Sequence, residues 1–390
     1  MQESEICSIF VAVKFVHMSK AYLASPSSAV ITTNTQLTKV KTILVLVLCV
    51  LFAFPAKAQT GSSVFAFMDI PMTARLNSYG GTNVSVRDGD LGMSLNNPAL
   101  LNEQTDKVLQ LNYAYYMQGI NLGSVLYGHN YKANYFGVAI HYLDYGKMPY
   151  ADEYGNLTGG SFSARDVLVN LMYARQLGEM FSVGVSLKPI YSHYESYYSF
   201  ALAADVGGHF QTKDKSFQLG LSLQNIGWQL KGFYSDENGQ HRETLPLNLQ
   251  LGLNYRFRHA PIRIGMTIHN MQRWQLSYQS TNQKTGSTLL NDKSAATDDG
   301  TIAWYDMMFR HTIFFIDLVP KTDKYYLTLS YNHRRRMEMT IQDQRSFAGF
   351  AVGAGVKIKQ FRVGFAFSQH LRGQYVYQVT LSTDINEFLK

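Results

Sequence analysis

The chain has 390 residues, a formal charge of +7, 26 Tyr and 23 Phe, yet only 16% charged residues. Five Lys and two Glu fall in the first 58 residues, so loss of that stretch leaves about +4, a balance that gives no reason to expect nucleic acid as a partner. Both cysteines, Cys7 and Cys49, lie in the same stretch, which excludes disulfides, thiolate catalysis and zinc–cysteine sites from the remainder.

Residues 1–58 read as a signal peptide with a long N-terminal lead. Lys39 and Lys41 give a positive region, 42–54 an apolar run too short to span a bilayer, and Ala56-Lys57-Ala58 a small-residue cleavage site before Gln59. Leu46-Val47-Leu48-Cys49 is a poor lipidation site, because Val47 and Leu48 are bulky where small residues are required. The lead before Lys39 is longer than a signal peptide needs, and Met18 is an alternative start.

Residues 59–107 are expected to form a hatch, a plug inside a barrel. Within 64–102, Pro71 is placed to open a short helix that Gly80-Gly81 ends, Asp88 to cap a second from about Leu91, and Pro98 to halt it. Neither piece is long enough to bury its own apolar face, so something downstream must enclose both. The competing arrangement is a helical decoration packed on the outside of a sheet.

From Val108 to the end, apolar residues recur with period two in runs of about ten. Leu247, Leu249, Leu251, Leu253, Tyr255 and Phe257 share one face of such a run, and Asn248, Gln250, Gly252, Asn254 and Arg256 the other. Phe361, Val363, Phe365 and Phe367 repeat the pattern against Arg362, Gly364, Ala366, Ser368 and His370. Strands of this length cross a bilayer when tilted, with the apolar side to lipid and the polar side to a lumen. A large soluble sandwich would also alternate, but Gly, Ser, Asn, Gln and Arg make a poor dry core. Connection lengths decide further. They are short after even-numbered strands and long after odd-numbered ones, at 145–162, 227–245, 271–308 and 334–345, as in an all-β, up-and-down antiparallel transmembrane barrel of about 14 strands with short periplasmic turns. An even count puts both termini on the periplasmic side, from which the plug would enter. The second and tenth strands are only weakly patterned.

Motifs of chemistry are sparse, and no enzyme, metal site or cofactor is expected. Lys284-Thr285-Gly286 lacks the Ser-x-x-Lys nucleophile that would give it meaning. Asp88 with Asp90, and Asp298 with Asp299, lack the further oxygen ligands a hard cation needs. His141, His209, His269 and His370 fall on the polar faces of strands and suit structural hydrogen bonding. Arg334-Arg335-Arg336 offers three guanidiniums for phosphate or carboxylate, against the simpler reading of a solvated charge run. Trp274, Tyr278, Trp304 and Tyr305 bracket the longest loop as docking residues for a partner or as part of an interfacial girdle.

The Asn97-Pro98-Ala99-Leu100-Leu101 block resembles the end of the hatch in FadL-type outer-membrane barrels, which have fourteen strands. Over nearly all of 64–390 the chain is similar to the PorQ family of the type IX secretion system of Bacteroidota. The residues that carry this are 68–74 with Gly80-Gly81, 97–102, 152–159 with Phe162-Ser163-Ala164, 188–192, Asn225-Ile226-Gly227, His333 to Arg336, and Asn386-Glu387-Phe388. The resemblance implies a non-enzymatic protein of the Gram-negative outer membrane, surrounded by its lipids after Sec-dependent export. It would hold a PorZ-like surface protein beside PorU- and PorV-like components, in the complex that attaches secreted cargo to anionic lipopolysaccharide. The alternative is a FadL-like transporter of hydrophobic small molecules, with Gly80, Gly81, Asn97, Pro98 and Ala99 shaping a hatch over a greasy pocket.

Overall fold

A computed structural model describes residues 63–116, 119–236, 239–276, 303–320, 322, 324–339, 347–371 and 374–388. The expected signal peptide therefore lies outside the described residues, as do Tyr278, Lys284-Thr285-Gly286, Asp298-Asp299 and the His370 side chain.

Fourteen antiparallel strands close into one barrel. They are β1 (Val108–Tyr115), β2 (Asn121–Tyr131), β3 (Asn134–Ala151), β4 (Leu157–Leu177), β5 (Phe181–Tyr194), β6 (Tyr197–Gln211), β7 (Phe217–Lys231), β8 (Asn248–Arg256), β9 (Ile262–Ile268), β10 (Thr312–Leu318), β11 (Tyr325–Asn332), β12 (Phe350–Ile358), β13 (Phe361–Leu371) and β14 (Gln374–Asp384). Each pairs with its sequence neighbours, and β1 closes the ring on β14, with Val108 opposite Asp384 and Tyr115 opposite Tyr377. The alternation expected from the sequence is the alternation of burial. On β8, Asn248, Gln250 and Asn254 face inward and are buried, and on β13 Phe361, Val363 and Phe365 are exposed on the outside. An outer wall of Leu, Val, Ile, Phe and Tyr is what hydrocarbon requires, because closed pairing satisfies every backbone group without water. The weakly patterned second and tenth runs are regular members of the ring.

Several boundaries differ from expectation. The connection expected at 145–162 is mostly strand, because β3 and β4 continue as a hairpin beyond their neighbours, and Asp152 closes its tip by accepting from the Tyr154 and Asn156 amides. The one at 227–245 begins with the end of β7 and then forms a two-residue ladder between Ser235–Asp236 and Gly239–Gln240. Helix α2 (Trp304–Arg310) occupies the end of the expected 271–308 connection and takes Phe309 and Arg310, which were to open the tenth strand, and α3 (His333–Glu338), capped by Asn332, occupies the start of the expected 334–345 loop.

The hatch fills the lumen. Its helix α1 (Ala74–Ser78) starts three residues later than Pro71 suggests, because Thr73 accepts from the Leu76 amide and sets the first turn. Asp90, not Asp88, caps the 3-10 turn Leu91–Leu95. Pro98 does not halt that turn but opens the next one, Pro98–Leu100, behind an Asn97 cap. The chain also enters from the other end. Ser63 bridges to Thr244, Val64 donates to the Thr244 carbonyl, and Phe65 packs on Phe233, all at the long-loop end, so the hatch descends to β1 at the short-turn end. Strand parity fixes where β1 begins, not where the segment before it started.

The wall admits the hatch backbone where it carries glycine. A Cβ on Gly184 would stand 2.6 Å from the Ala99 nitrogen, one on Gly220 1.8 Å from the Val84 oxygen, and one on Gly353 2.3 Å from the Ser78 Cβ. We predict that Gly184→Val unseats the hatch at a cost of about 1–3 kcal/mol, as overpacking does in cores. It should raise protease cleavage within residues 63–107 while the barrel still migrates as a heat-modifiable species.

Candidate functional site

The hatch is tied to the wall by a buried ionic latch. Arg263, Asp317 and Thr328 stand directly opposite one another on β9, β10 and β11 and face the lumen. From the hatch come Arg75 and Tyr79, which helix spacing places on one side of α1 and its C-cap, and Asp88 from the following loop. Arg75 donates to Asp317 at 2.9 Å, Asp88 at 2.8 Å and Thr328 at 2.9 Å. Arg263 donates to Asp317, to Asp88 at 3.0 Å and to the Tyr79 hydroxyl at 3.0 Å, and Tyr79 donates to Asp317 at 2.8 Å. Tyr326 lies beneath the Arg75 guanidinium at 3.8 Å. Two cations and two anions balance, and Arg75, Tyr79, Arg263 and Asp317 are almost fully buried. In such a setting each charge is affordable only while its partners remain, so the group holds together as a unit.

The residues named from sequence take up distinct places. Gly80 and Gly81 have φ of 81° and 116°, in the left-handed region, and the Gly80 carbonyl accepts from Asn332 at 3.1 Å. Asn97 donates to the carbonyls of Val84 (2.8 Å) and Gly208 (3.1 Å), stitching two hatch loops to β6, while Ser182 donates to the Ala99 carbonyl at 2.8 Å. These contacts pin the hatch. Both turns pack closely on the wall: a Cβ on Gly80 would meet Ile313 at 2.7 Å, and Asn97 Oδ1 stands against Gly207.

At the long-loop rim, Trp274 is exposed and stacks on His311, and Trp304 and Tyr305 are exposed on the first turn of α2. The three arginines of α3 do not form one patch, since successive helical residues point about 100° apart. Arg334 pairs with Glu338 at 2.8 Å, and Arg335 leans over the hatch, its Nη2 3.2 Å from where a Gly81 Cβ would be. His141, His209 and His269 are buried in the lumen, where His209 Nε2 meets the Ser85 carbonyl at 3.0 Å. Among the described residues no group of three or more His, Asp or Glu is arranged to hold a metal ion.

The latch escaped the sequence reading. Its signal was a charge alternating with outward apolar residues, Arg263 between Ile262 and Ile264 and Asp317 between Ile316 and Leu318, since an ionisable group on the inward face of a wall strand needs a partner inside the barrel.

No family model matches the chain, and no curated protein matches it. Among solved structures, the fold is similar to that of a TodX monoaromatic hydrocarbon channel carrying a deltaS2S3 mutation (TM-score 0.50, 12% identity, 80% of this chain and 98% of that one). It is also similar to the toluene transporter TodX of Pseudomonas putida (TM-score 0.48, 12% identity, 80% and 97% covered) and to a FadL homologue of Pseudomonas aeruginosa (TM-score 0.43, 12% identity, 83% and 99% covered). The chain thus has the fold of a FadL-like outer-membrane β-barrel, with a hatch in its lumen.

Removing one latch partner leaves the others buried and uncompensated. Arg263→Ala or Asp88→Ala should each cost about 3–5 kcal/mol. The temperature at which the folded band converts to the unfolded one in semi-native electrophoresis should fall, and the hatch should become protease-sensitive before the wall does.

Proposed function

We propose that this chain is a non-enzymatic outer-membrane barrel that works at its rim, as a plugged anchor for a protein on the cell surface. The observation that supports this best is the latch. A solute-conducting FadL-like barrel needs a plug that moves or a wall that parts, whereas here a buried cluster of two Arg and two Asp ties hatch to wall and all fourteen ladders are paired. The resemblance to the PorQ family supplies the partner: a PorZ-like surface protein beside PorU- and PorV-like components, within the type IX attachment complex that links cargo to lipopolysaccharide. No comparison with a known protein supports that assignment, which rests on the sequence resemblance alone. In this reading residues 1–58 are removed on Sec-dependent export, the mature chain begins near Gln59, and the short turns face the periplasm. Trp274, Tyr278, Trp304, Tyr305, Arg334 and Arg336 belong to the outward docking rim, while Arg335 turns in over the hatch.

The second reading, passage of a hydrophobic small molecule, has the better support from the comparisons, since the similar folds include a hydrocarbon channel and a toluene transporter. Copurification separates the two. The anchor reading predicts that a surface protein copurifies in stoichiometric amount and is released to the medium when residues 280–299 are deleted, with barrel insertion intact. A bound apolar solute without a protein partner, lost in a wall variant and not in the loop deletion, would establish transport instead.

A further inference from the structure

Helix α2 turns its polar side inward and its apolar side outward. Asp306, Met307 and Arg310 are buried, whereas Trp304, Tyr305, Met308 and Phe309 are 69%, 52%, 44% and 42% exposed. At about 100° per residue these two sets occupy opposite sides of the helix. The inner side is satisfied: Asp306 accepts from Arg310 at 2.7 Å and meets His333 Nε2 at 2.8 Å, which ties α2 to α3. A surface helix in water turns its apolar stripe to the core, so a helix mounted the other way round calls for an apolar cover on its outside.

The wall beside α2 identifies that cover. At the long-loop end Met266 on β9 stands opposite Phe314 on β10, Phe314 opposite Tyr331 on β11, and Tyr331 opposite Phe350 on β12. Phe314 and Phe350 are exposed on the outside of the barrel, and the Tyr331 and Phe350 rings lie 5.0 Å apart. A row of aromatic side chains near the end of a transmembrane wall marks the boundary between hydrocarbon and headgroups. Phe309 of α2 meets this row, its ring 6.3 Å from that of Phe314, so the apolar face of the helix continues the lipid-facing surface of the wall. We infer that α2 is an interfacial helix, seated in the leaflet at the long-loop end with Trp304, Tyr305, Met308 and Phe309 among lipid headgroups and upper acyl chains. Trp and Tyr suit this depth, because the ring takes the apolar zone and the N–H or O–H the wet one. No charge enters lipid, since Asp306 and Arg310 are buried on the inner side. This placement needs only the barrel and its lipid boundary, not an anchor role. It divides the rim, with α2 as its footing in the membrane and Trp274 left to a protein partner above.

The test measures depth in the full mature barrel, reconstituted in phosphatidylcholine vesicles. Both cysteines of the chain, Cys7 and Cys49, lie in residues 1–58, so a single introduced cysteine carries the only nitroxide label. Trp304→Cys and Met308→Cys report on α2, Ile316→Cys on the exposed outer side of β10, and Tyr154→Cys on the exposed tip of the β3–β4 hairpin. At each label, accessibility to oxygen, which concentrates in hydrocarbon, is compared with accessibility to a water-soluble nickel chelate. The oxygen-to-nickel ratio at Trp304→Cys and Met308→Cys should shift from the Tyr154→Cys value toward that of Ile316→Cys. Heat-modifiable migration verifies that each variant is folded, and either α2 variant decides the matter if the other does not fold. A ratio equal to that of Tyr154→Cys would put the face in water, open to a protein, and overturn the inference. Low accessibility to both reagents would mean that protein covers the face, and would overturn it equally. The vesicles contain no surface protein, so failure of the anchor reading leaves these ratios unchanged.

Discussion

The arrangement of this molecule depends on a balanced ionic cluster that is buried between hatch and wall except at Asp88. Asp317 accepts from Arg75, Arg263, Tyr79 and Thr328, so one wall carboxylate is shared by two strands and one hatch helix. Desolvating four charges is expensive, and the geometry compensates only if all arrive together. The latch therefore acts less as a source of stability than as a selector of one hatch position, since any displaced hatch leaves Arg263 and Asp317 facing each other without their second partners.

Elsewhere the hatch is held by a different economy. The inward face of the wall is polar, and a polar surface without water must find partners. It finds them on the hatch, mostly on its backbone: Gln378 donates to the Pro71 carbonyl, Thr380 accepts from the Ala74 amide, Ser222 donates to the Asn96 carbonyl, and Asn254 donates to the Ser85 side-chain hydroxyl. The short helices and turns of residues 63–107, which could not bury an apolar face unaided, meet a lined cylinder. Their remaining apolar side chains, among them Leu76, Leu91, Met93 and Leu101, join inward aliphatic residues such as Leu122 and Leu126 in one core.

The strand pattern was legible because a barrel wall has two solvents, and the period of two in Leu249, Leu251 and Leu253 against Gln250, Gly252 and Asn254 reports both. Strand ends were less legible. Continuation of β3 and β4 past the rim depends on pairing with each other, which no alternation between lipid and lumen records. The hatch as an enclosed element followed from its length, but its caps did not. Asp88 and Asp90 are equivalent candidates in sequence, and only the position of two distant arginines assigns one to the latch and leaves the other to cap. The site was the least legible part, because a guanidinium and a carboxylate on separate strands become neighbours through register alone.

The direction of the hatch bears on how the molecule can be assembled. Ser63 lies at the long-loop end and Val108 begins β1 at the short-turn end, so the segment runs the height of the lumen immediately before the first strand. Once β1 and β14 have joined, nothing of this bulk can be threaded through the ring. The segment must already stand beside β1 while thirteen further strands wrap round it, and β14 then meets two templates at once, the open edge of β1 and the Pro71 and Ala74 backbone groups that Gln378 and Thr380 engage. The hatch is in this sense a mandrel: the seam closes in its register because the last strand reads that register from inside the cylinder as well as along its rim.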